Sequence, residues 1–582
     1  VKAEEPTVGR SSGPEIPRDD LPAALLCALL WVGCGGANPG AGAEKPSLEA
    51  LPPLFTEITS AVGLPDRTSW PDGTFALPEI MGPGVALFDA DGDGDLDLLE
   101  VRMPPPGRPA DPAPNRFYRF EGGRFVDRTE ESGLGDAGFG QAVAVGDADG
   151  DGDEDVYFAN LGRDAFYRNN GDGTFTEQTD RAGFSGEDWS SAASFCDYDR
   201  DGDLDLYVVH YVKFDPKAVC REAAGRPDYC DPRNFRGVPD TLYRNEGGGI
   251  FTDVTEEAGL VSPDGGTRAK GLGVLCADLT GDGLMDFYVA NDGEANHLWV
   301  GRPGGRFAEE AVVRGLAVNA EGRPEASMGI ALGDVDADLV PELFLTHLKG
   351  EHNTLYGSSR PGLFFDRTAA AGMAPVDVPF TGFGCALLDA DHDGDLDLLV
   401  ANGRVYRDAP HPRARVSRFW NEYAEPGLFF QNDGRGRFSN ASARAGSFGS
   451  RPEVTRGLAV GDLDGDGDLD FVTSSVHGPV RVYRNDAPPP GRHWAKIRVL
   501  SRGQPALGAS LVVSAGGRRF LRVVQSTTSY MSSSDPTVHV GLGAADRIEE
   551  IEVRWPRGTR ERFVGGAADR TIELREGEGR PR

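Results

Sequence analysis

The sequence predicts an all-β protein: a seven-bladed β-propeller followed by a small β-sandwich or barrel. Three observations carry this expectation. An acidic nonapeptide of the type "DADGDGDLD" recurs seven times, each copy flanked by short apolar segments, and 79 glycines and 41 prolines among 582 residues supply the turns that many short strands require. A chain of this length also exceeds what one hydrophobic core serves, so repeats or several domains are needed. Hydrophobic residues make up 39% of the chain, enough to fill such cores.

From the N-terminus, residues 1–34 read as an export leader. The apolar run "LPAALLCALLWVGC", Leu21 to Cys34, is too short to span a bilayer and ends in small residues, as a secretory signal does. It resembles a bacterial lipoprotein signal, with Cys34 after Gly33 as the lipidated residue. Asp19, Asp20 and Trp31 depart from that pattern. Residues 35–53, rich in glycine, alanine and proline, read as a flexible linker.

The nonapeptides begin at Asp89, Asp147, Asp197, Asp278, Asp334, Asp389 and Asp462. Before each comes an apolar strand such as "GVALFD" or "GLAVGD", and after it another such as "DLLEV" or "DVYFAN". A third strand ("FYRF", "AFYRN", "TLYRN"), a Gly-rich hairpin and a fourth strand ending like "FTDVTEEAGL" complete the unit. Four antiparallel strands per repeat of this length make a propeller blade. The last unit breaks off at "APPPGR" without its fourth strand, while "LFTEITSAVGL", Leu54 to Leu64, has the fourth-strand pattern with no first three before it. The N-terminal segment is therefore expected to complete the last blade and close a ring over residues 54–487, removing exposed sheet edges. Residues 488–577 lack the acidic loop and alternate apolar with polar residues, as in "WAKIRVLS" and "IEEIEVRW", which predicts the sandwich or barrel.

Carboxylates at positions 1, 3, 5 and 9 of a nonapeptide, with glycine at 6 and a carbonyl at 7, can converge on one point. A hard cation taking six to eight oxygens suits this set, and calcium suits it better than magnesium. The candidate metal residues are Asp89, Asp91, Asp93, Asp95 and Asp97; Asp147, Asp149, Asp151, Asp153 and Asp155; Asp197, Asp199, Asp201, Asp203 and Asp205; Asp389, Asp391, Asp393, Asp395 and Asp397; and Asp462, Asp464, Asp466, Asp468 and Asp470. Two loops are degenerate: Asp278, Thr280, Asp282 and Asp286 in the fourth, and Asp334, Asp336, Asp338 and Glu342 in the fifth, where Leu339 replaces glycine. Five to seven Ca²⁺ sites are expected. The alternative, solvated acidic turns, would leave like charges repelling across each loop.

The net charge of −33 repels nucleic acid and anionic membrane, so no nucleic-acid partner is expected, and membrane contact only through a lipid anchor at Cys34. Cys220 and Cys230 bracket a polar loop and are expected to form a local disulfide. Cys196, Cys276 and Cys385 lie on apolar strands and read as buried thiols.

These units resemble the FG-GAP/VCBS repeats of integrin-α-type propellers, and "GRHWAKIRV", "GASLVVSAGG", "DPTVHVGLG" and "EVRWPRGTRERF" resemble the ASPIC/UnbV domain. Together they are similar to the cartilage acidic protein family and its bacterial members. The resemblance implies a secreted or extracytoplasmic calcium-binding protein that serves adhesion or recognition, without naming a ligand.

Strand order puts every acidic loop on one face and the connections after strand two on the other. Three of those connections are long, at 103–115, 211–240 and 403–427. Arg102, Asn160, His210, Asn291, His347, Asn402 and Ser475 end the second strands and form a candidate ligand face for a protein or glycan; the competing reading is that such side chains merely tie down strand ends. No nucleophile elbow, HExxH, phosphate loop or zinc signature is present, so no enzyme is expected. The alternatives are a polysaccharide lyase or hydrolase using this face, or a purely structural surface protein. The chain is expected to be monomeric.

Overall fold

The computed structural model describes residues 52–66, 72–104, 115–261, 268–486 and 490–582. The leader with Cys34, most of the linker, and residues 105–114 of the first long connection lie outside the described residues.

Apolar residues alternating on short segments make each repeat a four-stranded antiparallel sheet. In the first, Val85–Phe88 pairs with Asp97–Glu100, which pairs with Arg116–Glu121 and then Arg124–Asp127. The same order recurs in sheets that begin with Phe139–Gly146, Ser190–Cys196, Gly271–Ala277, Ile330–Gly333, Gly382–Leu388 and Thr455–Gly461. The last of these takes its fourth strand from Phe55–Glu57, whose residues pair with Asn485, Arg484 and Tyr483. Fourth strands are shorter than the sequence pattern implies. "FTDVTEEAGL" is a strand only over Phe251–Asp253, and Thr255–Ala258 then forms a single helical turn ended by Gly259 at φ +80°.

Consecutive sheets bury apolar faces against one another. Phe88, Leu99 and Phe117 of the first sheet meet Val143, Phe158 and Tyr167 of the second. Phe429 and Leu399 of the sixth meet Phe471 and Tyr483 of the seventh. Val85, Leu87 and Leu98 of the first share a core with Val472 and Val482 of the seventh. First strands touch in sequence order, and Thr455–Gly461 also touches Val85–Phe88.

Residues 493–581 form two further sheets. His493–Ser501 lies between Val538–Gly543, antiparallel, and Arg570–Arg575, parallel, and the other sheet orders Arg518–Val523, Ser510–Ala515, Ile548–Arg554, Arg560–Val564 and Arg580–Pro581. Ile497, Val513, Val540, Ile551 and Trp555 belong to its core.

The segment Gln525–Asp535 leaves this region and runs between the first strands of the repeat sheets. Ser533 exchanges backbone hydrogen bonds with Val85 and Leu87, both at 3.1 Å, and Ser529 does so with Ile330 at 2.6 and 2.9 Å. Val143 N–H donates to Met531 O at 3.2 Å, Asp535 N–H to Val460 O at 3.3 Å, and Cys385 N–H to Ser529 Oγ at 3.0 Å. First strands have inward-facing amide groups that need partners once buried, and this serine-rich segment supplies them. Its small side chains fit a narrow space, and Ser526 and Ser529 to Ser534 are all buried.

Cys220 and Cys230 are disulfide-bonded, in accord with the sequence. Cys196 and Cys276 correct it. They do not remain thiols but are bonded across the third and fourth sheets, with Cα atoms 6.3 Å apart. Cys196 ends one first strand and Cys276 stands one residue before the end of the next, so two similar repeat positions 80 residues apart meet; nothing local in the sequence signals that. Only Cys385 remains a free thiol among the described residues, and it is buried. Unreduced protein beginning at residue 52 should therefore label at one thiol per chain in denaturant and none when native; more than one would contradict this pairing.

Candidate functional site

Each nonapeptide connects strand one to strand two, and all seven use the same internal hydrogen bonds where the sequence allows. The position-1 carboxylate accepts the position-6 N–H, as in Asp89 with Gly94 (3.0 Å), Asp147 with Gly152 (2.8 Å) and Asp334 with Leu339 (3.0 Å). The position-5 carboxylate accepts the position-7 N–H, as in Asp93 with Asp95 (3.0 Å) and Asp338 with Val340 (2.8 Å). Position 9 is held twice: Asp155 accepts from Ala148 N–H at 2.9 Å and from Asn169 N–H of strand three at 2.8 Å. The chain reaches this path through two left-handed residues, at positions 4 and 6. Gly150 and Gly152 take them at φ +76° and +101°, while Arg200, Ala337, Leu339 and His392 adopt the same region without being glycine. Such residues cost about 1 kcal/mol each, a cost that the loop's own hydrogen bonds offset.

Carboxylate oxygens of Asp89, Asp91 and Asp93 lie within 4.8 Å of one another, as do those of Asp147, Asp149 and Asp155, of Asp197, Asp199 and Asp205, of Asp334, Asp336 and Glu342, and of Asp389, Asp391 and Asp393. Several of their oxygens are buried and accept no hydrogen bond among the described residues: Oδ1 of Asp89, Asp91, Asp149, Asp197, Asp278 and Asp336, and Oγ1 of Thr280. These seven atoms stand at position 1 or 3, and Oδ2 of Asp397, at position 9, is orphaned likewise. Orphaned acceptors converging on one point fit a calcium ion, and Thr280 presents its hydroxyl in the degenerate fourth loop where aspartate stands elsewhere.

Burial opposes their charge. It pushes Asp147, Asp197 and Asp334 up to about 6, Asp389 and Asp97 up to about 7, and Asp155, Glu342 and Asp470 up to about 8, with neighbouring carboxylates adding to the shift. A divalent ion among them would reverse that balance.

Position-7 aspartates face other neighbours. Asp203 lies 3.5 Å from Arg502, Asp395 pairs with Arg518, and Asp468 lies 3.1 Å from His392. The C-terminal region supplies those arginines and further cations on the acidic-loop face: Lys496 Nζ is 2.5 Å from Asp462, Arg554 is 2.7 Å from Asp278, and Arg492 is 2.5 Å from Asp391.

Sequence reasoning missed two helpers that the third strands carry. Arg168 pairs with Asp149 and, at 2.8 Å, with Asp151, and Arg119 pairs with Asp91. The asparagine that ends the third strand, after an arginine or, in the sixth sheet, after Gln431, ties neighbouring loops together: Nδ2 of Asn169, Asn245, Asn432 and Asn485 donates to the position-2 carbonyl of the preceding loop, at Ala90, Ala148, Val335 and Ala390, over 2.6 to 2.9 Å. The recurring "YRN", with "FQN" in the sixth sheet, was the available signal.

On the opposite face, five of the seven proposed strand-end residues are buried: Asn160, Asn291, His347, Asn402 and Ser475. They tie down turns. Asn160 Nδ2 donates to Asp136 (3.2 Å) and Arg163 O (3.0 Å), Asn291 Nδ2 to Ala295 O (2.9 Å), and Asn402 Nδ2 to Pro426 O (2.8 Å). His347 bridges Ser327 Oγ (3.0 Å) and His352 O (2.7 Å). His210 is half-buried, and burial pushes its ring down to about 4, so it is neutral. Arg102 is half-buried beside Glu100, at 3.9 Å.

What covers this face is two long connections that meet. Tyr229, next to the Cys220–Cys230 bridge, donates to Glu79 at 2.9 Å and packs edge-on to Tyr423, while Tyr423 donates to Asp228 at 2.8 Å. Beneath them the fully buried Arg456 donates to the carbonyls of Ile80 (2.7 Å), Gly403 (3.1 Å) and Thr455 (2.7 Å), stacks 3.9 Å from the Phe383 ring, and is pushed down to about 9 by burial. Tyr530 at the tip of the threaded segment reaches this layer, donating to Met81 O at 2.8 Å. A cavity of about 360 Å³ opens beside the two connections.

Repeat sheets bearing acidic loops, joined to two further sheets that supply cations to those loops, match FG-GAP-like repeats followed by an ASPIC and UnbV domain. The FG-GAP-like repeat family matches residues 89–158, 147–208 and 278–345, and the ASPIC and UnbV family matches residues 500–581. The chain is homologous to cartilage acidic protein 1. It is 28% identical to that protein of Xenopus tropicalis over 352 residues, 50% of this chain and 52% of the relative, and 26% identical to that of Homo sapiens over 318 residues, 53% and 43% respectively. The chain thus spans about half the length of the curated relatives it matches. Among solved structures, an Agrocybe aegerita lectin that recognises non-reducing terminal N-acetylglucosamine aligns over 69% of this chain and 94% of its own, at TM-score 0.38 and 14% identity. YCF48 bound to D1 peptide aligns over 73% and 99%, at TM-score 0.37 and 10% identity.

Proposed function

We propose that this chain is an exported, calcium-binding, seven-bladed propeller whose ring is closed by its N-terminal strand, and that it recognises a protein or glycan at the face opposite the acidic loops. The observation that carries the reading is the division of the two faces. The acidic-loop face is engaged by cations of the C-terminal region, among them Lys496, Arg518 and Arg554, which leaves the face of long connections and its cavity for a partner. Disulfides support an oxidising, extracytoplasmic setting. No helix among the described residues is long and apolar enough to cross a membrane, and Cys34, if lipidated, would anchor the protein at the cell surface. The protein acts by binding, without catalysis, and as a monomer.

Full-length protein immobilised in calcium should bind a glycan array or a panel of extracellular proteins saturably, and chelation should abolish that binding. Elemental analysis should find five to seven calcium ions per chain, with Thr280→Val losing one. Turnover of an acidic polysaccharide, or no saturable partner in either screen, would sink the recognition reading.

A further inference from the structure

We infer that the cavity between the long connections binds an organic cation: an ammonium or guanidinium group carried on an apolar stem. The inference rests on the recognition reading of this face and gives it a ligand class. Three carboxylates, Asp231, Asp292 and Glu351, line the cavity against one cation, Arg233. Arg233 is already committed, because its Nε and terminal nitrogen reach the two oxygens of Asp231 at 2.9 and 2.5 Å. That leaves two carboxylates without an ion-pair partner among the described residues.

Asp292 uses one oxygen to accept the Tyr211 hydroxyl at 2.5 Å. Glu351 uses one to accept Ala326 N–H at 3.0 Å. Asp292 keeps its second oxygen for a ligand donor, while the Glu351 carboxylate is also reached by the Leu348 N–H. Burial raises both, Asp292 to about 6, against the opposing pull of Lys270 on Asp292 and of His347 on Glu351. The remaining wall is apolar, with Ile80 and Met81 on one side, and Tyr406, 37% exposed, presents an aromatic ring. Apolar walls with a few converging acceptors of one sign select a cation with a hydrophobic stem over a neutral polyol, and the tyrosine face adds cation–π attraction.

Tyramine, agmatine and the neutral tyrosol, which replaces the amine of tyramine by a hydroxyl, test this on full-length protein in saturating calcium, so that amines do not compete for the acidic loops. Calorimetric titration should show tyramine and agmatine binding at one site, with tyrosol at least tenfold weaker. Asp292→Asn combined with Glu351→Gln should remove the preference for the amine at an unchanged melting temperature; should that pair fail to fold, Tyr406→Ala should weaken all amine binding several-fold. Equal affinity for tyramine and tyrosol, binding of N-acetylglucosamine in place of the amines, or amine binding untouched by these substitutions would overturn the proposal. Partner capture that is insensitive to tyramine and to Asp292→Asn would refute the cavity while leaving the recognition reading standing. Amine binding without any macromolecular partner would do the reverse.

Discussion

Adding a calcium chelator is expected to lower the melting temperature by about 10 °C. With free calcium near 1 mM and sites of 10 to 100 μM, each ion would stabilise the fold by about 1.4 to 2.7 kcal/mol, and five sites by about 7 to 13 kcal/mol. A folded unit of this size has an unfolding entropy of about 1 kcal/mol per degree, which gives the shift. The same carboxyls fix the sign of a pH effect. Asp155, Glu342 and Asp470 are raised to about 8, and Asp147 and Asp334 to about 6, all above their ordinary values. Their protonated forms therefore favour the folded state, and the stability they contribute is full below pH 4 and lost as pH rises through 6 to 8. In chelator the melting temperature should fall across that window; in calcium it should stay level. Equal melting curves with and without chelator, together with no bound metal, would remove calcium from the account.

Gly84→Val should be among the most damaging single substitutions in the chain. Gly84 directly precedes the first strand, and a Cβ there would lie 1.8 Å from the carbonyl oxygen of Met531 in the threaded segment. Both sides of that contact are backbone, so neither can rotate away, and the segment must leave its place. A loss of more than about 3 kcal/mol is expected. Tyr530→Ala attacks the same contact from the other side: it removes a fully buried ring that packs 4.9 Å from Phe383 and donates to Met81 O, and should cost about 3 to 5 kcal/mol. In urea both variants should unfold earlier, and limited proteolysis should cut between Gln525 and Asp535, which the native fold buries. Wild-type stability of Gly84→Val with that segment still protected would show that the threading is not what joins the two regions.

Much of this was legible because it is periodic. Alternating apolar residues fixed the strands, "LFTEI" marked the fourth strand of the last sheet, and the acidic spacing placed the carboxylates that converge at positions 1, 3, 5 and 9. The Cys220–Cys230 bridge was legible because the loop is short. The Cys196–Cys276 bridge was not, because two strand ends in different repeats only become neighbours when sheets stack.

By itself the sequence determined the local pattern: which segments are strands, where the aspartates cluster, and that the C-terminal region differs from the repeats. Tertiary structure decided what those pieces face. It buried Asn160, Asn291, His347, Asn402 and Ser475, which read as a polar rim, because the connections after strand two fold back over them. It sent the serines of "STTSYMSSSD" between the first strands, and left Asp292 and Glu351 beside a cavity whose lining cation, Arg233, is paired with Asp231. Periodicity within a strand specifies the direction of a side chain relative to its own sheet; the neighbour waiting there comes from residues hundreds of positions away, and only the folded chain brings them together.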